Sequence, residues 1–338
     1  MKNIAINGFG RIGRLLFRYL TTYHSNDINI VAVNDLGDGA NLAHLLKYDT
    51  VYGRFPAEVA WQDGWLKVGD RKIKVLQEKD PARLPWKDLE IDLAVEATGV
   101  FESFAAAKGH LAAGAKKAVI TAPAKDEDGE GKTVLIGVND GKISEFNLTS
   151  NGSCTTNAAA PVIEILKENP GILKAVLSTV HGYTATQNLT DGPVRGTDFR
   201  RGRAAGQNIV PSTTGAALAV TRAIPELAGK FDGVSLRVPV ATGSIADITF
   251  VAARPTSVEE VNAVLKKAAD EKRWQGILKT TDEPLVSSDI VGEPYAAIVD
   301  LNLTKVVDGD LVKVFSWYDN EWGYAAVLAK HILAASGR

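Results

Sequence analysis

The sequence predicts a two-domain α/β chain of 338 residues, with a doubly wound parallel sheet followed by an α+β domain whose sheet is mostly antiparallel. Up to about residue 150, short apolar runs alternate with helical periodicity, a pattern typical of βαβ units. A glycine-rich turn follows the first of these runs. Later strands alternate apolar and polar residues instead, as half-buried antiparallel strands do. We predict one domain at 1–153, completed by a C-terminal helix at 322–338, and a second at 154–321.

The composition is that of a globular protein with substantial cores, since 45% of residues are hydrophobic and 23% are charged. Thirty-eight basic and 40 acidic side chains leave a net charge of −2, which predicts no nucleic-acid partner and no anionic membrane surface. No apolar run approaches the ~20 residues that cross a bilayer. One cysteine excludes an intrachain disulfide, and no secretory segment precedes the first strand. We therefore predict a cytoplasmic protein, and no metal site.

The first βα turn has the pattern of a nucleotide-binding loop. Residues 3–6 form a predicted strand, and residues 7–14 read Asn-Gly-Phe-Gly-Arg-Ile-Gly-Arg before a helical pattern. Gly8 would allow a tight turn, Gly10 the close approach of a pyrophosphate, and Gly13 the packing of helix on strand. A glycine-rich turn without a ligand is the alternative; a following acid favours the Rossmann-type interpretation.

That acid lies at the end of the second predicted strand, 28–33. Asn34 and Asp35 follow this strand, about twenty residues after the last glycine, where an acid hydrogen-bonds the adenosine ribose. Asp35 would repel a 2′-phosphate, which favours NAD over NADP. A helix N-cap is the alternative role for such an aspartate.

The rest of the first domain continues the α/β pattern with a small antiparallel excursion. Predicted helices lie at 36–48 and 102–112, and predicted strands at 57–61, 65–68, 72–76, 92–99 and 118–121. Thr98, Gly99 and Thr121 end strands, and ligands of open α/β sheets bind beyond the carboxyl ends of strands. These three residues are candidates for cofactor contact, or else ordinary turn residues. The charged loop 126–132 is predicted to be solvated and without function.

The only cysteine, Cys154, lies among small hydroxyl and amide side chains just before an apolar run at 158–166 that reads as a helix. Backbone N–H groups and the helix dipole at such a position favour thiolate over thiol, and the thiolate is the nucleophile. A lone cysteine can equally be inert. A catalytic role needs a base, an electrophile and an electron acceptor from elsewhere in the chain.

The base that we predict is His181, which follows the strand pattern at 176–180 and stands close to Thr184 and Thr186. The other four histidines lack this strand-end setting; they are His24, His44, His110 and His331. Further antiparallel strands are predicted at 234–238 and 244–251.

Residues 187–211 form a long irregular stretch, and loops of this length inside a domain are usually functional. It contains Arg195, Arg200, Arg201 and Arg203. Arginines near Thr184, Thr186 and Thr214 suit the recognition of phosphate groups. Solvated surface charge is the alternative, and we favour it for Arg195.

Two C-terminal segments complete the pattern. A helix after Pro255 has a capping box, either Thr256 with Glu259 or Ser257 with Glu260. An aromatic segment at 314–324 then leads into a terminal apolar helix at 325–335. Its aromatic residues suit a core, whereas Asn320 has no packing reason.

Four motifs, in order along the whole chain, resemble phosphorylating glyceraldehyde-3-phosphate dehydrogenases. They are the glycine-rich run at 7–14, Ser-Cys-Thr-Thr-Asn at 153–157, His-Gly-Tyr-Thr-Ala-Thr-Gln at 181–187 and Trp-Tyr-Asp-Asn-Glu-Trp-Gly-Tyr at 317–324. The resemblance implies NAD-dependent oxidation of D-glyceraldehyde 3-phosphate to 1,3-bisphosphoglycerate with inorganic phosphate. It also implies a homotetramer, in which the 187–211 loop packs near a neighbouring cofactor site.

The same resemblance implies a role for each matching residue. It makes Cys154 the nucleophile and His181 the base. Its NAD-binding residues are Gly8, Gly10, Arg11, Ile12, Gly13, Asn34, Asp35, Lys79, Thr98, Gly99, Thr121, Asn320 and Tyr324. Its substrate-phosphate residues are Thr184, Thr186 and Arg237, with Arg201 nearby, and its inorganic-phosphate residues are Ser153, Thr155, Thr214 and Gly215.

The chain departs from the family pattern at three positions. Ala158 replaces a second cysteine, which should leave catalysis intact. Leu218 stands where a lysine is common, and Val240 where a threonine is common, so details near the phosphate sites are open. Pro193, with Asp35, resembles the NAD-preferring members.

Two other functions stay open at this point. A related erythrose-4-phosphate dehydrogenase uses the same thiol with water as acyl acceptor, although Thr184 and Thr186 resemble the phosphorylating enzyme more. A non-catalytic binding protein on a dehydrogenase scaffold is the second alternative. The neutral charge balance and the presence of Cys154, His181 and Asn320 argue against it.

Overall fold

The computed structural model describes residues 1–126, 129–194 and 196–337. Glu127 and Asp128 of the predicted charged loop, and the predicted surface residue Arg195, lie outside the described residues. The chain forms two compact units. One comprises Met1–Ile136, Asp140–Gly152 and Leu328–Arg338, and the other Gly137–Asn139 and Ser153–Val327.

The first unit is built on a mostly parallel sheet. Its strands are Lys2–Asn7 (β1), Ile28–Asn34 (β2), Tyr48–Asp49 (β3), Gly53–Arg54 (β4), Val59–Gln62 (β5), Trp65–Val68 (β6), Arg71–Leu76 (β7), Leu93–Glu96 (β8), Lys117–Ile120 (β9), Lys132–Thr133 (β10) and Leu148–Ser150 (β11). Within the described ranges the main sheet has the order β10-β11-β9-β8-β1-β2-β7-β6-β5, and β3 pairs with β4 separately. Pairing is parallel from β10 to β7 and antiparallel from β7 to β5, which confirms the predicted fold class and excursion.

Three helices of this unit follow strands of the main sheet or its neighbours, and polar side chains cap two of them. They are Arg11–Tyr23 (α1), Gly39–Lys47 (α2) and Phe104–Ala112 (α3). The helices α2 and α3 start later than predicted because Asp38 and Ser103 accept hydrogen bonds from the Asn41 and Ala106 N–H groups and so act as N-caps. The central strand β8 is buried along its length, and β9 is buried after its first residue, as strands covered on both faces must be.

The second unit has a mostly antiparallel sheet. Its strands are Ile172–Gly182 (β12), Val210–Thr213 (β13), Phe231–Val238 (β14), Ser244–Ala252 (β15), Leu278–Thr281 (β16), Ala297–Val307 (β17) and Leu311–Tyr318 (β18). In the described part of the chain their order is β13-β14-β12-β15-β18-β17-β16. The pairs β12–β14 and β16–β17 are parallel, and the others are antiparallel. The predicted α+β class of this half is confirmed.

The remaining helices are Cys154–Glu168 (α4), Ala216–Ala223 (α5), Val258–Ala269 (α6) and Trp322–Ala335 (α7). Of the two predicted caps for α6, Ser257 is the one used, since its hydroxyl accepts from the Glu260 N–H. Helix α7 begins at Trp322, as the helix predicted at 322–338 does and three residues before the apolar segment predicted at 325–335. Asp319 accepts from the N–H groups of Glu321 and Trp322 at this start. Among the described residues, no helix is both long enough and apolar enough to pass through a membrane.

Candidate active site

A cavity of about 460 Å³ lies in the first unit where β1, β2 and β8 end. Residues that the sequence predicts for NAD contact line it, namely Gly8, Gly10, Asn34, Asp35, Lys79 and Thr98. This edge is where ligands of doubly wound sheets bind, because the carboxyl ends of parallel strands and the N-termini of the following helices meet there.

The three glycines of the first turn differ in what surrounds them. Gly8 has φ +96°, and a Cβ there would lie 2.5 Å from the Thr98 nitrogen. A Cβ on Gly13 would lie 2.1 Å from the Gly8 carbonyl oxygen, whereas one on Gly10 would meet nothing within 4 Å. Gly10 is also the N-cap of α1, so no side chain covers the first N–H groups of that helix. The loop therefore fits a pyrophosphate at the helix N-terminus.

This contrast predicts that alanine at position 13 mainly lowers stability, whereas alanine at position 10 mainly weakens NAD binding. Gly13→Ala should destabilise the chain by about 1–3 kcal/mol, because the new methyl group overlaps the Gly8 carbonyl. Gly10→Ala should change stability by less than about 1 kcal/mol, yet weaken NAD binding tenfold or more by filling the approach to the phosphates. Urea unfolding and NAD titration of both variants measure this. Equal loss of stability in the two would contradict the assignment.

Asp35 follows β2 at the edge of the cavity. One carboxylate oxygen accepts from the Phe9 N–H at 2.7 Å, and the other accepts from the Gly37 N–H at 2.8 Å. Its carboxylate is thus held in place beside the glycine-rich loop, where a ribose would bind.

The other residues of this unit that are predicted to contact NAD differ in their surroundings. Two of them, Arg11 and Asn34, form hydrogen bonds or ion pairs within the protein. Arg11 forms an ion pair with Asp49, and Ile12 is partly exposed in the first turn of α1. The Asn34 amide donates to the Asn7 side-chain oxygen and accepts from the Glu78 N–H, so it organises the neighbouring loop. Lys79 is exposed. Gly99, with φ +68°, and the partly buried Thr121 follow β8 and β9.

The second unit brings the predicted nucleophile and base together. Cys154 is the first residue of α4, as predicted, and His181 lies near the end of β12. Cys154 Sγ is 3.3 Å from His181 Nε2, which is within hydrogen-bonding distance for sulfur. Ser153 caps the helix, since its hydroxyl accepts from the Thr156 N–H and the Thr156 hydroxyl accepts from the Ser153 N–H. The cap holds the sulfur at the start of the helix.

Strand pairing places Arg237 beside His181. The parallel register of β12 and β14 sets these two residues opposite each other. Arg237 Nη1 lies 2.6 Å from His181 Nδ1, and the Gly182 carbonyl oxygen lies 2.6 Å from the same nitrogen. A guanidinium only donates and a carbonyl only accepts, so the two contacts belong to opposite tautomers of the imidazole. When Arg237 donates to Nδ1, the imidazole proton is on Nε2 and faces Cys154 Sγ. When Nδ1 carries the proton and donates it to the Gly182 carbonyl, Nε2 is free to accept a proton.

Burial controls the protonation of this pair. Burial, together with the positive charge of Arg237, lowers the pKa of His181 to about 3. Burial also raises the pKa of the Cys154 thiol, against the opposing effects of Arg237 and nearby N–H groups. The pair is therefore a neutral thiol and a neutral imidazole. Burial thus disfavours the thiolate that the sequence predicts at this helix start.

The same burial makes the protein sensitive to acid. The pKa values of His181 and the buried His331 are both about 3, below the ~6.5 of an unfolded histidine. The unfolded chain thus binds more protons between these values, and the free energy of unfolding should fall as pH drops from 6.5, by up to roughly 1.4 kcal/mol per unit for each histidine. Urea midpoints at pH 7 and 5 test this. His331→Gln should show a shallower decrease than the wild type; a midpoint that does not change with pH would contradict it.

Tyr318 is a residue of this site that the sequence analysis missed. Its hydroxyl lies 2.8 Å from Thr155 Oγ1 and 2.7 Å from Thr179 Oγ1. Its ring packs edge-on against the His181 imidazole, with centroids 5.9 Å apart. Tyr318 and Thr155 are both buried, so Thr155, predicted to bind phosphate, has its hydroxyl directed at the tyrosine. The aromatic pattern at 314–324 gave only a core signal for this residue.

The predicted phosphate-binding residues after β12 form a small cluster. Thr184 Oγ1 and Thr186 Oγ1 are 2.9 Å apart, and Arg201 donates to Thr186 at 3.3 Å. Arg201 also donates to the hydroxyl of Ser212, at 2.7 Å, a residue that was not predicted. The structure thus joins the loop at 187–211 to the end of β12 through one arginine.

Two of the residues predicted to bind inorganic phosphate, Thr214 and Gly215, lie at the start of α5. Thr214 accepts from the Ala216 N–H at 3.1 Å, and Gly215 is the N-cap of α5. Leu218, one of the departures from the family pattern, is 55% exposed on this helix. Ala158 is fully buried in α4, and the Val240 N–H donates to the Val238 carbonyl.

Asn320 proves to have the packing role that the sequence analysis did not find. Its side-chain oxygen accepts from the hydroxyls of Thr242 at 3.1 Å and Ser244 at 2.7 Å. Tyr324 is buried in α7. These hydrogen bonds hold the Asn320 side chain in place within the second unit.

Curated relatives and family models agree on the classification. The chain is 52% identical to glyceraldehyde-3-phosphate dehydrogenase of Mycolicibacterium smegmatis over 333 residues, 96% of each chain. The chain belongs to the glyceraldehyde-3-phosphate dehydrogenase family. It is also 51% identical to the enzyme of Mycobacterium tuberculosis over 328 residues and 50% identical to that of Streptomyces coelicolor over 324, in both cases over 95% of each chain.

Two family models match within the chain. Residues 2–104 match the glyceraldehyde 3-phosphate dehydrogenase NAD binding domain, and residues 153–320 match the C-terminal domain. The predicted family, the NAD cofactor and the classification as an NAD-dependent oxidoreductase are confirmed.

Proposed function

We propose that this member of the glyceraldehyde-3-phosphate dehydrogenase family oxidises D-glyceraldehyde 3-phosphate to 1,3-bisphosphoglycerate, with NAD and inorganic phosphate. The observation that carries the proposal is the 3.3 Å contact between Cys154 Sγ at the start of α4 and His181 Nε2. A thiol beside a neutral base can add to an aldehyde and become a thioester, which is a reactive acyl donor.

The chemistry of the chain's own residues follows from this pair. Cys154 Sγ bonds to the aldehyde carbon, and the thiol proton passes to the new hydroxyl oxygen through His181. His181 then takes the hydroxyl proton as hydride leaves the same carbon, which produces a thioester. A phosphate oxygen attacks the thioester carbon, the C–S bond breaks, and the sulfur regains its proton. The Cys154 N–H at the helix start stabilises the oxyanion that forms at each addition.

Arg237 couples substrate binding to this base. A substrate phosphate that pairs with Arg237 withdraws the guanidinium from His181 Nδ1, so Nδ1–H can donate to the Gly182 carbonyl. The Nε2 atom is then the acceptor that a general base requires. The Thr184, Thr186 and Arg201 cluster supports this phosphate site, and Ser153 with the Thr214–Gly215 turn at α5 supports the site for inorganic phosphate.

The cavity of the first unit is the proposed NAD site. Bound NAD supplies the hydride acceptor. Gly10 and the uncapped start of α1 would hold its pyrophosphate, and Asp35 would bind a ribose hydroxyl. Thr98, Gly99, Thr121 and Lys79 are the further contacts proposed there.

An assay of NADH formation tests the proposed reaction. Turnover of D-glyceraldehyde 3-phosphate should depend on added phosphate and exceed that of erythrose 4-phosphate, and NAD should be preferred over NADP because of Asp35. A rate indifferent to phosphate would favour the erythrose-4-phosphate enzyme with water as acyl acceptor. Equal efficiency with the two cofactors would overturn the role of Asp35.

We also propose that the chain works as a cytoplasmic homotetramer. Large apolar side chains lie exposed on the sheet of the second unit, among them Val176, Val234 and Leu311, and association of further copies would bury them. Light scattering after size-exclusion chromatography measures the assembly, and a monomer would contradict this proposal.

A further inference from the structure

A buried chain of hydrogen bonds runs behind the cavity of the first unit. The three adjacent strands β2, β1 and β8 each end in one of its polar side chains, Asn34, Asn7 and Glu96. Asn34 Nδ2 donates to Asn7 Oδ1 at 2.6 Å, and Asn7 Nδ2 donates to Glu96 Oε2 at 2.6 Å. His110 Nε2 lies 2.9 Å from the same carboxylate oxygen, and Trp86 Nε1 donates to His110 Nδ1 at 3.0 Å.

The groups at the two ends of this hydrogen-bond network determine the direction of every bond in it. An indole N–H can only donate, so His110 Nδ1 accepts, and the neutral imidazole donates through Nε2 to Glu96. At the other end, Asn34 donates to the Glu78 carbonyl and accepts from the Glu78 N–H, which fixes the orientation of its amide. Asn7 must then present its nitrogen to Glu96.

Glu96 therefore acts only as an acceptor, as an ionised carboxylate does. Its second oxygen accepts from the Thr98 N–H at 2.9 Å and from the Thr98 hydroxyl. Glu96 is 2% exposed and His110 is fully buried, so these four donors replace water entirely. Fully satisfied buried networks are rigid, and a single reversed donor disrupts them.

The two ends of the network hold two parts of the cavity wall. Glu96 holds Thr98, and Asn34 holds the loop at Glu78 and Lys79. We infer that Glu96, oriented by His110 and Trp86, is a positioning residue for the dinucleotide, because it locks the strand ends and both wall segments into one preformed binding edge. The inference rests on the proposed NAD site in this cavity.

The most direct test is Glu96→Gln, which changes a single atom of the carboxyl group. The new amide nitrogen must face either the two Thr98 donors or the Asn7 and His110 donors, so one side of the network breaks. Direct NAD titration, by calorimetry or by quenching of tryptophan fluorescence, should show a Kd raised at least tenfold. At saturating NAD, kcat and the KM for the aldehyde should change less than twofold, since no reacting atom contacts Glu96.

Two substitutions of His110 separate positioning from general loss of structure. His110→Phe removes the donor to Glu96 and should raise the Kd for NAD about as much as Glu96→Gln does. His110→Gln keeps an N–H donor near the Nε2 position and should recover most of the affinity. The matched control is His331→Phe, because His331 is equally buried in the same unit and bonds Thr149 at 2.8 Å, away from the cavity walls. It should lower stability and leave the Kd unchanged.

The possible outcomes distinguish this inference from the proposed function. A wild-type chain that binds no NAD would overturn both. If the wild type binds NAD, and the Glu96→Gln and His110→Phe variants fold and bind it with a Kd within twofold of the wild-type value, the positioning role alone is overturned. The same is true if His331→Phe weakens NAD binding as strongly as His110→Phe, because the effect would then reflect stability.

Discussion

Replacing Cys154 by serine is expected to lower the rate of phosphate-dependent NADH formation by at least roughly four orders of magnitude. A serine hydroxyl beside His181 is a far weaker nucleophile than the thiol, and the ester that it would form transfers its acyl group to phosphate much less readily than a thioester does. Initial rates at saturating aldehyde, NAD and phosphate measure the loss.

The variant itself should stay folded, since the change replaces one atom at the first position of α4 and leaves the Ser153 cap intact. The Kd for NAD, whose proposed site is the cavity of the first unit, should be unchanged and serves as the control. Near-normal turnover by Cys154→Ser would show that the mechanism is wrong. Alkylation of the wild-type chain at Cys154 with a proportional loss of activity is the complementary measurement.

His181→Asn is expected to lower kcat by about 10²–10⁴-fold, because it removes the imidazole nitrogen that lies 3.3 Å from Cys154 Sγ. Asparagine can keep a hydrogen bond near the Nδ1 position but cannot take a proton from the sulfur or from the substrate hydroxyl. Alkylation of Cys154 near neutral pH should slow in parallel, since His181 is the group that accepts the thiol proton.

The matched control is His331→Gln, which replaces the other histidine whose pKa burial lowers to about 3. It should leave kcat and the alkylation rate unchanged. If His181→Asn kept both quantities within threefold of wild type, the base would have to be another group. A loss of kcat without slower alkylation would limit His181 to the hydride-transfer step.

Several parts of the fold could be predicted because they depend on residues close in sequence. The glycine turn at 7–14 and the start of α4 at Cys154 follow from local rules of turns and helix caps. Errors at helix starts were of two to three residues and had one cause. Asp38 and Ser103 cap helices, whereas apolar periodicity alone does not show where the cap lies.

Residue chemistry led to the proposed nucleophile and base, but it did not predict the residues around them. Cys154 and His181 were chosen as a rare nucleophile and a strand-end base, and the structure brings them to 3.3 Å. Tyr318 was missed because an aromatic residue in an alternating strand has the same pattern whether it fills a core or touches the imidazole of His181. Its contact with His181 depends on the pairing of β12, β15 and β18.

The sequence by itself determined the two-part α/β architecture, the nucleotide-binding loop and the family, since periodicity, glycine spacing and short motifs are properties of neighbouring residues. Tertiary structure decided which distant side chains meet. The register of β12 against β14 sets Arg237 on His181, and the order β8-β1-β2 joins Glu96, Asn7 and Asn34. Burial in turn decided protonation, because the cost of removing charge from water depends on everything packed around a group.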